Sequence, residues 1–176
     1  MPSLRYLPRY TVDDYRQWQG DWELWSGVAI AMTPSPFARH QFVASRLITE
    51  LGVALRGSDF HVLNETDWIV ANDTVVRPDV VVIEGEIPDG HLRTSPRLVA
   101  EVISETTRAK DWGVKRELYE REGVEFYLIL DPKDGQAELF RSIHGQYERQ
   151  PTTPSIEIPF SEHSIVQFEA SSLFQD

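Results

Sequence analysis

The sequence predicts a domain of the α/β (α+β) class, a mixed β-sheet core flanked by helices. Three observations predict it. Helical periodicity is confined to a long stripe over about 37–55 and a second stretch over about 107–122. Runs rich in β-branched residues fill much of 60–84, 98–103 and 124–141. The strand at 98–103, the helix after it and the strand at 124–130 follow one another directly, which implies a right-handed parallel crossover within one sheet.

Thr11 and Asp14 have capping-box spacing and open a short helix over 12–19. Strands at 22–25 and 28–32 flank Ser26-Gly27, a tight turn, and form an N-terminal hairpin. Ser35-Pro36 reads as an N-cap with proline at the first helical position. The stripe after it, Phe37, Val43, Leu47, Ile48, Leu51 and Leu55, ends near Gly57. Strands then fall at 62–63, 68–70 and 75–83, with Asn72-Asp73 as a turn between the last two. After a loop holding Pro88, Gly90 and Pro96 comes the strand at 98–103. Thr106 or Thr107 caps the second main helix, which Gly123 closes. Asp131-Pro132-Lys133-Asp134-Gly135 turns the strand at 124–130 into a hairpin partner at 137–141. Short strands near 156–158 and 165–168, with a terminal turn at 172–174, make a C-terminal β extension.

The 176 residues suit one domain, 1–176. Cysteine is absent, which excludes disulfides and cysteine-ligated metal sites. The N-terminus lacks the pattern of a signal peptide, and no run approaches the ~18 apolar residues of a membrane span. A soluble, cytoplasmic protein with no membrane partner is expected. The net charge of −11 counts against indiscriminate nucleic-acid binding, because phosphate contacts need local positive charge. Between His91 and Arg116, however, six basic residues stand against three acids. That excess fits either a solvated helix face or a contact with an anion.

Three residues draw attention as chemistry. Glu101 interrupts an otherwise apolar strand and shares a face with Val99 and Ile103. A buried carboxylate is costly unless it is paired or bound to a metal. Asp79 follows Pro78, which cannot donate to a sheet ladder, so it marks a bend in the strand region. The spacing of 79 and 101 suits neighbouring strands joined by a loop. Two converging carboxylates repel each other unless a cation lies between them, and hard oxygen donors suit Mg²⁺ or Mn²⁺. Lys115 shares a helix face with Asp111 and Tyr119. It reads either as an exposed ion pair or as a cation beside a phosphate.

Pro78-Asp79 followed by Glu101-Val102-Ile103-Ser104 resembles the PD-(D/E)XK nuclease signature. Ile103 stands where that signature carries its lysine. The longer ordered set is more specific: Arg77-Pro78-Asp79-Val80-Val81-Val82, then Glu101 to Ser104, then Thr107 through Lys115, then Tyr119, Gly123-Val124 and Leu130-Asp131-Pro132. With Trp22-Glu23-Leu24-Trp25-Ser26-Gly27 at the start, it resembles the Uma family of putative restriction endonucleases over nearly the whole chain. Glu105-Thr106 replaces the family's usual Pro-Ser, and Ser26 and Val28 stand where acids are common.

The resemblance implies a restriction-endonuclease-like fold and a metal-dependent endonuclease acting on nucleic acid, DNA before RNA. Asp79, Glu101 and the main-chain carbonyl of Val102 would hold Mg²⁺ or Mn²⁺. Lys115, matching a lysine moved onto the following helix, would act as the catalytic cation. Glu23 and His40 would approach the same pocket. A homodimer follows by analogy with enzymes that cut two strands; some of the aromatic residues, five tryptophans among them, would either line its interface or pack the core. Two other readings compete. One is a catalytically degenerate nuclease fold that binds nucleic acid or protein. The other is a metal-bound β-barrel enzyme, disfavoured because His40, His61, His91, His144 and His163 are scattered.

Overall fold

A computed structural model describes residues 8–32, 38–104 and 111–175, except for the side chains of 111 and 112. Ser35-Pro36, the Thr106 or Thr107 cap and Glu105 lie outside the described residues. Among those described, no helix is long and apolar enough to cross a membrane.

Among the described residues, two sheets and a separate hairpin make up the β structure. The first sheet contains β1 (Trp22–Trp25), β2 (Val28–Ala31), β4 (Trp68–Ala71) and β5 (Thr74–Val76), in the order β2-β1-β5-β4. The second has six strands: β3 (Phe60–Asn64), β6 (Val80–Glu84), β7 (Leu98–Val102), β8 (Phe126–Asp131), β9 (Gln136–Ile143) and β10 (Gln146–Gln150). Their order is β10-β9-β8-β7-β6-β3. β11 (Ile156–Ser161) and β12 (Ser164–Phe168) pair with each other. The expected mixed sheet is present: β7 and β8 run parallel, and their neighbours are antiparallel.

The centre of the large sheet is buried on both faces, which explains the near-continuous apolar runs in β7 and β8. One face carries Val80, Val82, Leu98, Ala100 and Val102. Against it lies α2 (Ala38–Ala54), through Val43, Leu47 and Leu51 at four-residue spacing. The opposite face carries Val81, Val99, Ile103 and Tyr127, packed with Trp68 and Tyr119. Each fully buried aliphatic side chain stabilises the fold by about 1.5–3 kcal/mol. Trp68 therefore belongs to the core.

The structure corrects the expected elements in four places. α1 is only Val12–Tyr15, because Gln17 and Trp18 donate to the carbonyls of Asp14 and Tyr15 in tighter i→i−3 turns. Its capping residue is as expected: the Thr11 N–H donates to Asp14 Oδ2 at 2.8 Å. The run at 75–83 is not one strand. It divides into β5 and β6, which belong to different sheets, with Arg77-Pro78-Asp79 between them. β10 is an additional strand. It joins β9 through His144 (φ 52°) and Gly145 (φ 81°), two left-handed residues in succession as a type I′ hairpin turn requires. The second main helix includes a π-helical turn at Asp111–Lys115, followed by α3 (Arg116–Arg121). A single π turn shifts the register of the helical turns beyond it, and such turns occur often at functional sites.

Candidate active site

The bend at Pro78 places Asp79 at the mouth of β6. The β6–β7 ladder pairs Val82 with Leu98, Val81 with Val99 and Val80 with Ala100. Asp79 is the residue just before the last pair, and Glu101 the residue just after Ala100. The Asp79 side chain continues the ladder where the backbone leaves it: the Val102 N–H donates to Asp79 Oδ2 at 2.7 Å. The same oxygen stands 3.2 Å from His40 Nε2 on α2. Asp79 and His40 retain side-chain exposures of 20% and 14%, so this part of the cluster reaches solvent.

Glu101 lies deeper. Its Oε1 accepts hydrogen bonds from Lys115 Nζ at 3.0 Å and from the Tyr119 hydroxyl at 2.7 Å. Lys115 Nζ also stands 3.2 Å from Glu23 Oε1. The side chains of Glu23, Glu101 and Lys115 are 5%, 4% and 8% exposed, so their charges meet away from bulk water. Glu23 Oε1 also accepts a hydrogen bond from the Arg77 N–H at 2.9 Å. Glu23 belongs to the small sheet, Glu101 to the large one, and Lys115 to the π turn. One ammonium thus joins three elements.

The electrostatics follow from this burial. For His40, burial disfavours the charged imidazole, but the hydrogen bond and charge of Asp79, with the charge of Glu65, reverse the effect. Its pKa stands above the ordinary histidine value. The Tyr119 hydroxyl is pushed well above its ordinary value, first by burial and then by the Glu101 charge. Tyr119 therefore remains a proton donor to Glu101.

All five side chains that the sequence points to fall into this region. Glu23, Glu101 and Lys115 form its interior, and Asp79 and His40 form the part nearer solvent. Val102 is joined to Asp79 through its N–H. Two further participants were not expected from the sequence. Tyr119 carried a signal, since it follows Lys115 by four residues on the same helix face. The main chain of Arg77 carried none, because any residue there supplies an N–H.

The donor set can be tested against a metal ion. Among the described residues, no three His, Cys, Asp or Glu side chains form a group that could hold one. A closed protein cage is therefore not the arrangement here. An aspartate at the entry to β6 and a glutamate within β7, with a main-chain carbonyl beside them, are the hard oxygen donors that suit a divalent cation keeping several of its waters. The three carboxylates Asp79, Glu101 and Glu23 outnumber their cationic partners Lys115 and His40, which favours a further positive charge.

Comparison with known proteins gives a family and a fold. A family model described as Uma2, putative restriction endonuclease, matches residues 12–171. Among solved structures, the chain is similar to the crystal structure of a putative nuclease belonging to DUF820 from Anabaena variabilis ATCC 29413. The TM-score is 0.77 at 16% identity, covering 94% of this chain and 97% of that one. At that identity the likeness concerns the fold. No curated protein matches the sequence.

Proposed function

Because the chain belongs to the Uma2 family of putative restriction endonucleases, we propose that it is a divalent-metal-dependent endonuclease that hydrolyses phosphodiester bonds, with DNA as the substrate. The observation that carries this reading is that Asp79 accepts the Val102 N–H, next in the chain to Glu101, while the Lys115 ammonium sits on Glu101. Metal-assisted phosphodiester hydrolysis uses a hard cation site and a positive group beside the reacting phosphate, and the cluster offers residues suited to both.

In this reading Asp79, Glu101 and the Val102 carbonyl hold Mg²⁺ or Mn²⁺. When bound, such an ion lowers the pKa of a coordinated water and offsets phosphate charge. Lys115 stabilises the negative charge that builds on the phosphate oxygens, a role favoured by its burial because electrostatic interactions strengthen away from water. Tyr119 fixes the Glu101 carboxylate through its hydroxyl. His40 orients Asp79. A duplex has two strands to cut, so a homodimer with two such sites belongs to the proposal.

The test is titration calorimetry with Mn²⁺ and Mg²⁺, followed by cleavage of plasmid and linear DNA. Wild type should bind the ion and nick or cut DNA only when it is present. Asp79→Asn and Glu101→Gln should lose both properties. Metal-independent cleavage, or cleavage unchanged in either variant, would overturn the assignment. A folded protein that binds DNA but neither binds the ion nor cuts would instead be a degenerate binding module.

A further inference from the structure

We infer that Glu23 is a positioning residue for this site: it anchors the Lys115 ammonium so that Glu101 can turn its charge to a metal ion. The inference rests on the reading of Asp79, Glu101 and Lys115 given above, and it assigns a task to the small N-terminal sheet.

The geometry gives Glu23 two partners on one oxygen. Oε1 lies 3.2 Å from Lys115 Nζ and accepts the Arg77 N–H at 2.9 Å. Arg77 is the residue after β5 and stands two places before Asp79. A single carboxylate therefore touches both the lysine and the chain bend that delivers the aspartate. The Arg77 side chain is itself held, with Nε 2.6 Å from Asp67 Oδ1 and Nη1 2.7 Å from Asp21 Oδ1. The buried Asp67 also accepts the Tyr15 hydroxyl at 2.8 Å. The bend is thus held on its backbone side by Glu23 of β1, and on its side-chain side by Asp21 and Asp67, the residues just before β1 and β4.

The charges explain why a second carboxylate is useful. Lys115 lies between Glu23 and Glu101 at nearly equal distances, 3.2 and 3.0 Å. A divalent cation on Glu101 repels the ammonium and draws carboxylate charge away from it. With Glu23 present, the ammonium keeps a full counter-charge and stays in the cluster. Without that charge, Lys115 draws more heavily on Glu101, and it opposes metal entry there.

The experiment combines Glu23→Gln, Lys115→Met and the double variant. Glutamine keeps an acceptor for the Arg77 N–H and removes only the charge. In EDTA, the melting-temperature losses of the two single variants should be clearly non-additive in the double variant, as for residues in direct contact. In Mn²⁺ titrations, Glu23→Gln should bind roughly five- to tenfold more weakly, the lower range of energetic coupling between sites. Lys115→Met should bind more tightly than wild type. Glu23→Asp keeps the charge but shortens the arm. It should hold near-wild-type Mn²⁺ affinity, with a fall in kcat and little change in KM, and it serves if Glu23→Gln does not fold. Additive melting losses, or unchanged Mn²⁺ affinity in a folded Glu23→Gln, would overturn the inference. Wild type that binds no Mn²⁺ overturns the metal reading instead, while the EDTA cycle still decides whether Glu23 anchors Lys115.

Discussion

Lys115 Nζ lies 3.0 Å from Glu101 Oε1, although the two residues are 14 positions apart and stand on different elements. Two places after Glu101, just past the end of β7, stands Ile103, which is buried in the apolar core with Val99 and Tyr127. The cation that the strand lacks arrives from the π turn beyond it. Replacing Lys115 by methionine deprives Glu23 and Glu101 of the counter-charge they share. Removing one partner of a buried ion pair costs about 3–5 kcal/mol. Urea unfolding of Lys115→Met should show a loss of that order, and DNA cleavage should disappear. Full activity in a folded Lys115→Met would remove the lysine from the chemistry.

Asp79 has a structural duty as well as its proposed role. Its Oδ2 accepts the Val102 N–H. Asp79→Ala should lose metal binding and also leave that N–H without its partner, at a cost of about 1–3 kcal/mol. Asp79→Asn retains a side-chain oxygen and should lose metal binding with a smaller stability change. Comparing the two by calorimetry and chemical denaturation separates the roles. Equal stability in both variants would show that the Val102 contact contributes little.

Tyr119→Phe tests the hydroxyl on Glu101. A hydrogen bond to a charged group contributes about 1.5–3 kcal/mol, while the ring should keep its stacking on Trp68. The variant should be less stable by that order and should cleave more slowly, with the carboxylate less well fixed. Retained stability and rate would mean that Glu101 is held without the hydroxyl.

The tyrosines give a pH prediction. The pKa values of Tyr15, Tyr119 and Tyr147 are all raised, in each case by burial first. Their next causes are the hydrogen bond from Tyr15 to Asp67, the charge of Glu101 on Tyr119 and the charge of Glu120 on Tyr147. A group whose folded pKa exceeds its unfolded value adds stability that is fully present below the unfolded pKa and is lost as pH rises toward the folded one. Stability should therefore decline above about pH 10, the unperturbed tyrosine value. Ultraviolet titration of the folded protein should show these three phenols protonated there, and denaturant should release them. Ionisation of all six tyrosines near pH 10 in the native state would contradict the burial.

Much of the fold was legible because its signals are local. The stripe of Val43, Leu47 and Leu51 specifies a helix with one buried face. The apolar runs in β7 and β8, with a helical stretch between, specify a parallel pair. Gly123 and the Ser26-Gly27 turn mark ends that need left-handed backbone. The break at Pro78 was visible as an interruption, but the division of its two sides between different sheets was not. Nothing local in Thr74–Val76 says that its partners are β1 and β4 rather than the strands beside β6. The strand β10 was missed although His144-Gly145 lies between two pairable runs, because polar residues fill most of Gln146–Gln150.

By itself, the sequence determined the residue types of the site: an aspartate after a proline, a glutamate inside a buried strand and a lysine on the next helix. Those identities suffice because burying a charge in an apolar strand is unfavourable without a partner, so Glu101 announces that one exists. Only the tertiary structure decided which partner it is. The Lys115 ammonium is shared with Glu23, a residue 78 positions from Glu101 in a different sheet, and Tyr119 completes the contact. Such a relationship has no periodicity and no fixed spacing. It arises because two sheets and a helix pack around one buried charge, and that charge must be balanced wherever the packing brings it.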